Sequence, residues 1–194
     1  MSETRPYTQV KRAKAAERTR AALLDAADHV FLTGDWEAAS LDSIAARAGT
    51  TKQTLLRHFG SKAGLLEAGA QRGIDAVAAQ RLQAPRGDVD GAIDNLLDHY
   101  EDRGDEGLKL ASIQGDGAMA DIAARARRLH YDWVDHAFGA AIDRAEQPER
   151  TRAALIAICD VHTWQLLKRD LGLGRAELHR TLTLMIRRLL EEDA

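Results

Sequence analysis

The sequence predicts an all-α fold. Apolar residues recur at three- and four-residue spacing along nearly the whole chain, and only three prolines interrupt 194 residues. No alternating strand pattern and no Asn-Gly hairpin signal occur. Leu23, Ala27, Val30 and Phe31 share one face of a first helix, which Gly34 is suited to end. Ser40 is placed to N-cap a second helix that ends at Gly49. A third, short helix opens after Thr50-Thr51 and runs to His58-Phe59. Gly60-Ser61 breaks it, and Ser61 caps a fourth helix over residues 62–83. Ala84-Pro85-Arg86-Gly87 reads as a turn. A helix over 88–101 then turns Ile93, Leu96, Leu97 and Tyr100 inward, and Gly104, Gly107, Gly115 and Gly117 divide the next stretch into short pieces.

The helix over 118–143 carries two adjoining apolar stripes. Met119, Ile122, Ala126, Leu129 and Trp133 form one; Tyr131, Val134, Phe138 and Ile142 form the other. This is the pattern of an element buried over most of its circumference. Pro148 suits the first turn of a helix over 148–170, residues 171–174 read as a turn, and a last helix spans 175–192. There is no internal repeat and no low-complexity linker.

Composition bounds the function. With 45% hydrophobic residues the chain is not disordered. No run of about 18 apolar residues exists to span a membrane, and residues 1–7 lack the apolar stretch of a secretory signal. One cysteine, Cys159, excludes a disulfide framework and any CxxC site. A soluble, cytoplasmic protein with no membrane partner is expected. Neither a nucleophile-elbow sequence nor a P-loop nor a zinc-protease motif occurs, and Gly172-Leu173-Gly174 lies between helices, where it reads as a terminator. No enzymatic activity, catalytic residue, cofactor or metal is therefore expected. Cys159 and His162 share a helix face in this reading, but two ligands are too few for a metal site.

The net charge of −3 hides an asymmetry. Residues 1–66 carry ten Lys/Arg against seven acids, a net of +3, so the remainder carries −6. Six of those basic residues lie in the first twenty, against two acids. A basic head on an acidic body fits a polyanionic partner at one end; a solvated basic leader fits equally well.

Function is carried by residues 44–62, I-A-A-R-A-G-T-T-K-Q-T-L-L-R-H-F-G-S-K. Small Ala45 lets two helices cross closely, Gly49 can take the left-handed conformation of a tight turn, and Leu55 plugs the space between the helices. This is a helix-turn-helix pattern. Thr51 caps the second helix, whose exposed first turn is Lys52, Gln53 and Thr54. Gln pairs bidentately with adenine, Lys reaches guanine acceptors, and Thr offers a hydroxyl and a methyl. Arg57 and His58 follow one turn later, placed for phosphates, and Ser40, at the start of the preceding helix, is a further DNA-contact candidate. Lys62 opens the next helix, where free N–H groups favour an anion. The basic arm, residues 1–15, is suited to the DNA backbone or a minor groove.

Residues 40–66 resemble the DNA-binding module of the TetR/AcrR family of bacterial regulators. Ser40, Ile44, Ala45, Ala48, Gly49, Leu55, His58, Phe59, Lys62 and Leu65 match its pattern as they stand, and Thr51 replaces its serine. Thr50 departs from an apolar position, and Leu56 stands where the family usually has a tyrosine that donates to a phosphate. The resemblance implies a basic arm (1–15), a helix-turn-helix domain (16–61) and a helical effector-binding and dimerisation domain (62–194). It implies a homodimer joined through helices 148–170 and 175–192. It also implies a repressor that binds a near-palindromic double-stranded operator through helix 51–59 and answers an unknown small-molecule effector. Inward residues Ile93, Leu97, Tyr100, Met119, Trp133 and Trp164 are the effector-contact candidates, with plain core packing as their alternative. Two other readings stand beside this one: a DNA-binding dimer without an effector, and a helical small-molecule-binding protein or enzyme with a merely structural hairpin. The acidic run from Asp88 to Glu106 suits a cationic effector or a solvated face.

Overall fold

A computed structural model describes residues 4–33 and 36–192, and it divides into two compact units, Met1–Arg72 and Gly73–Ala194. Among the described residues every regular element is helical. Residues 1–3 of the basic arm and Gly34, the expected cap of the first helix, lie outside the described residues.

The first unit contains α1 (Thr4–Thr33), α2 (Leu41–Arg47), α3 (Lys52–Phe59) and the start of α4 (Lys62–Arg81). The basic leader is the N-terminal half of α1 rather than an arm ahead of it. The run Lys11-Arg12-Ala13-Lys14-Ala15-Ala16-Glu17-Arg18 consists of strong helix formers, and from Gln9 to Arg18 it stays exposed. Leu23, Leu24, Ile44, Ala45, Leu55 and Leu65 form the buried centre, each at most 1% exposed. Arg72 joins α4 to α1 through Asp25 and Asp28.

The second unit contains the end of α4, α5 (Val89–Ser112), α6 (Ala118–Ile142), α7 (Pro148–Ile158), α8 (Val161–Gln165), a π-helical turn (Leu166–Asp170) and α9 (Arg175–Glu192). Its core gathers Ile93, Leu96, Leu97 and Tyr100 of α5, Trp133, Val134 and Phe138 of α6, Leu155 of α7, Trp164 of α8, and Leu178, Leu182 and Ile186 of α9. The turn after α4 is pinned to α6: Gly87 N–H donates to the Ala137 carbonyl at 2.9 Å, and His136 Nε2 donates to the Ala84 carbonyl at 3.0 Å.

Three elements differ from the sequence reading. First, α5 runs on to Ser112, bending only at Arg103 (φ −130°, ψ 16°). Gly104 does not end the helix. It is there because a Cβ would lie 2.4 Å from the Trp164 ring. Second, the stretch 148–170 is broken after Ile158. Asp160 caps α8 by accepting from His162 N–H at 2.9 Å, and the π turn closes through Leu171 N–H to the Leu166 carbonyl. Cys159 is buried while His162 is exposed and hydrogen-bonded to Asp160. Third, α6 has one broad buried face instead of two full stripes. Tyr131 is exposed, with the Arg152 guanidinium 5.9 Å from its ring centre and Arg152 paired to Asp135.

The acidic run along α5 is a paired face. Arg175 reaches Asp94, Asp98 and Glu101, Arg187 reaches Asp90, and Arg169 reaches Asp105. Its charge is thus largely engaged by α9 and the π turn.

Gly104→Ala is expected to destabilise the second unit by about 1–3 kcal/mol, because the added methyl runs into the buried Trp164 indole and must displace it. Alanine's helix propensity returns less than about 1 kcal/mol. Urea unfolding followed by tryptophan fluorescence measures it. An unchanged midpoint is the result that contradicts the close packing.

Candidate nucleic-acid interface

The helix-turn-helix is built from local chemistry. Ser40 Oγ accepts from Ser43 N–H at 3.0 Å, so its hydroxyl is engaged in capping α2. Gly49 takes φ +66°, the left-handed geometry the turn needs. Thr51 Oγ1 accepts from Thr54 N–H at 3.2 Å and donates to Thr54 Oγ1 at 3.1 Å. The Thr54 oxygen is therefore occupied as an acceptor, and its own proton is left to donate outward. Leu55, fully buried, anchors α3 from beneath.

Above that anchor, Thr51, Lys52, Gln53 and Arg57 are exposed and Thr54 is half-buried. The Gln53 amide makes no hydrogen bond within the described residues, leaving its donor and acceptor pair open. Lys52 Nζ lies 3.4 Å from Asp42 Oδ2 in a solvent-exposed pair, which is weak enough to open for a stronger partner. His58 is half-buried, its Nε2 shielded from solvent and without a hydrogen-bond partner. Lys62 donates to the Glu37 carbonyl at 3.0 Å and sits 5.3 Å from the Trp36 ring centre, so it clamps the segment ahead of α2 while two ammonium protons stay available. Leu56, at the family's tyrosine position, is 37% exposed and brings no donor.

In the second unit, five of the six effector candidates are core residues: Ile93, Leu97, Tyr100, Trp133 and Trp164 are each at most 4% exposed, whereas Met119 is half-buried outside that cluster. Tyr100 O–H donates to the Cys159 carbonyl at 2.8 Å, and Trp133 Nε1 donates to Asn95 Oδ1 at 3.1 Å. Asn95 and Gln80 exchange side-chain-to-backbone bonds, each 2.8 Å, tying α4 to α5.

One charged residue joins these rings unannounced by the sequence reading. Arg81, the last residue of α4, is 4% exposed, its guanidinium carbon 4.7 Å from the Trp133 ring centre and 5.3 Å from that of Tyr100. The signal was present: Arg81 continues the Ile74, Val77, Ala78 spacing, a charge on an apolar stripe. Burial, with Arg81 nearby, holds the His99 imidazole neutral, its pKa pushed down to about 3, and pushes His130 in the same direction. Burial lifts the Cys159 thiol to about 12, so it is protonated and inert.

Comparison with known proteins decides the kinship. Residues 23–68 match the family described as bacterial regulatory proteins, tetR family. The transcriptional activator FasR of Mycolicibacterium smegmatis is 31% identical over 148 residues, covering 73% of this chain and 67% of that protein. The transcriptional repressor LfrR of the same organism is 32% identical over 139 residues, 70% of each chain.

The chain belongs to the TetR family.

A crystal structure of a TetR-family transcriptional regulator from Streptomyces coelicolor shares the fold of this TetR-family chain, with a TM-score of 0.66 and 22% identity over 91% of this chain and 96% of that one. The protein is thus a DNA-binding transcriptional regulator whose N-terminal unit holds the helix-turn-helix. Its two relatives carry opposite regulatory signs in their names, so kinship alone leaves the sign open. No helix among the described residues is long and apolar enough to cross a membrane.

Proposed function

We propose that this TetR-family regulator is a cytoplasmic, homodimeric, ligand-responsive repressor of a near-palindromic operator. Its functional division follows the leader (1–15), the reading head (16–61) and the effector and dimerisation part (62–194). The observation that carries the reading is the exposed first turn of α3, Lys52-Gln53-Thr54, held rigid by the Thr51 cap and the buried Leu55. A polar tip on a fixed helix is what base-edge recognition requires.

Two such heads, one per protomer, enter successive major grooves about 34–36 Å apart. Leu184 and Met185 of α9 and Leu166 and Leu171 around the π turn are exposed apolar side chains, which supports self-association through this end of the chain. An effector acts by binding two forms of the dimer unequally, and only that difference in affinity lowers operator occupancy.

The test is a salt titration of binding to an inverted repeat from the DNA upstream of the protein's own coding sequence. Two protomers per site are expected, with affinity falling steeply as salt rises. Gln53→Ala is expected to flatten discrimination at one base pair per half-site by about 1–3 kcal/mol. Arg57→Ala is expected to weaken all sequences alike and reduce the salt slope by about one per site contact. Arg57 is the cleaner phosphate probe, because Lys62→Ala also removes the clamp on Trp36 and the Glu37 carbonyl. Equal loss on operator and random DNA for Gln53→Ala contradicts its role in base reading.

A further inference from the structure

The centre of the second unit holds a cation without an anion. Arg81 is buried, remains protonated as a guanidinium, and forms no ion pair with a carboxylate of the described residues. Its Nη1 has no hydrogen-bond partner. Trp133 and Tyr100 offer ring faces at 4.7 and 5.3 Å and the Tyr100 hydroxyl oxygen adds a side-chain hydrogen bond, but such neutral contacts offset only part of what desolvating a charge costs. The acid side chains of α5 are taken by Arg175, Arg187, Arg169 and Arg103. Asp160, whose charge reaches Tyr100 and His130, is held by the His162 amide and imidazole.

A second unsatisfied donor flanks the same tyrosine. The Trp164 ring lies 5.6 Å from that of Tyr100, and its Nε1 is buried without a partner. His130 adds an orphan of the opposite kind: its Nε2 donates to the Ile156 carbonyl at 3.1 Å, so the neutral ring leaves Nδ1 as a buried, unpaired acceptor. Buried polar atoms are normally satisfied, so two orphan donors, Arg81 Nη1 and Trp164 Nε1, on either side of Tyr100 mark a place built for a further acceptor, whereas the His130 acceptor is not one that a carboxylate satisfies. The surroundings are aromatic: Trp133 and Tyr100 face the guanidinium, and Trp164 packs against Tyr100.

We propose that Arg81 is the counter-charge for the carboxylate of an amphipathic organic acid, the effector of this regulator, whose apolar body packs among the surrounding rings. The identification of the acid as effector rests on the ligand-responsive reading above; the site itself rests on Arg81. A carboxylate accepts from Arg81 Nη1 and neutralises a charge that the ligand-free protein holds at a cost. A cationic effector is excluded from this place by the same guanidinium.

The experiment uses the full-length protein and a panel of probes: straight-chain carboxylates from acetate to decanoate, benzoate and phenylacetate, each beside its isosteric alcohol and amine, with sodium chloride at equal concentration. At about ten times the dissociation constant, at least one carboxylate is expected to raise Tm by about 3–6 °C, with its alcohol, its amine and chloride silent. Arg81→Met is expected to abolish that preference for acid over alcohol, and to leave the Tm of the ligand-free protein unchanged or higher, since an unpaired charge is removed. No shift with any carboxylate, the same shift with chloride, or an acid preference that survives Arg81→Met each overturns the proposal. So does a ligand-free Arg81→Met protein that melts well below wild type, which makes Arg81 a structural residue. Operator binding, read in parallel, separates the two claims. Carboxylates that raise Tm without changing operator affinity establish the site and refute the response; alcohols or amines that release the operator while acids do not refute the site and keep the response.

Discussion

Leu55→Ala is expected to unfold the N-terminal unit and abolish DNA binding at every salt concentration, while the second unit stays folded. Leu55 is fully buried on α3, which packs against α1 and α2, and it belongs with the equally buried Leu23, Leu24, Ile44 and Ala45 to the small core of a 72-residue unit. Truncating a fully buried leucine removes its transfer free energy and leaves a cavity, about 3–5 kcal/mol together. A unit of this size buries a modest share of its surface and has little stability to spare. Leu56→Ala is the matched control. Leu56 follows in sequence but is 37% exposed, and its truncation is expected to stay within about 0.5 kcal/mol. Urea unfolding followed by far-ultraviolet circular dichroism resolves the early transition of the first unit. Fluorescence of Trp133 and Trp164 against Trp36 assigns the transitions. Equal effects of the two substitutions contradict the placement of α3.

The same adjacent pair shows why this part of the chain was legible beforehand. The capping serines and threonines and the left-handed glycine act within four residues of themselves, so Ser40, Gly49, Thr51 and Ser61 fixed α2, α3 and the start of α4 from sequence alone. What escaped depends on distant partners. Gly104 reads as a helix breaker until Trp164, sixty residues on, is laid against it. Asp160 reads as a mid-helix acid until the chain turns there so that the Cys159 carbonyl can receive the Tyr100 hydroxyl. The acids of α5 read as a solvated or cation-seeking face because their partners, Arg169, Arg175 and Arg187, lie far along the chain. Arg81 is the strongest case: its residue type says nothing, and the one signal is its place on the apolar stripe of Ile74, Val77 and Ala78.

Burial of an imidazole, with that inward cation beside it, sets the second large effect, a loss of stability in mild acid. His99 packs beside Tyr100, ring centres 5.2 Å apart, and burial, then the charges of Arg81 and Arg103, then His130, push its pKa down to about 3 from an ordinary 6.5. The folded protein therefore keeps His99 neutral where the unfolded chain has begun to bind a proton. Between pH 6.5 and about 3 the unfolded state holds more protons, so stability is fully present above 6.5 and falls as the pH drops through that window. From pH 7 to pH 5 the loss due to His99 is about 2 kcal/mol, and His130, depressed by burial and by Arg81, adds to it in the same direction. This range lies above the ordinary carboxylate pKa values, so the paired acids of α5 stay ionised across it. His99→Gln, neutral at every pH, is expected to remove about 2 kcal/mol of the difference between pH 7 and pH 5 in urea unfolding followed by tryptophan fluorescence. A wild-type protein equally stable at both pH values, or a variant with the full wild-type slope, contradicts the buried neutral imidazole. An anion on Arg81 shields part of the charge that, after burial, helps hold both rings neutral. A bound carboxylate is therefore expected to flatten the acid slope of the wild-type protein and to leave that of Arg81→Met unchanged.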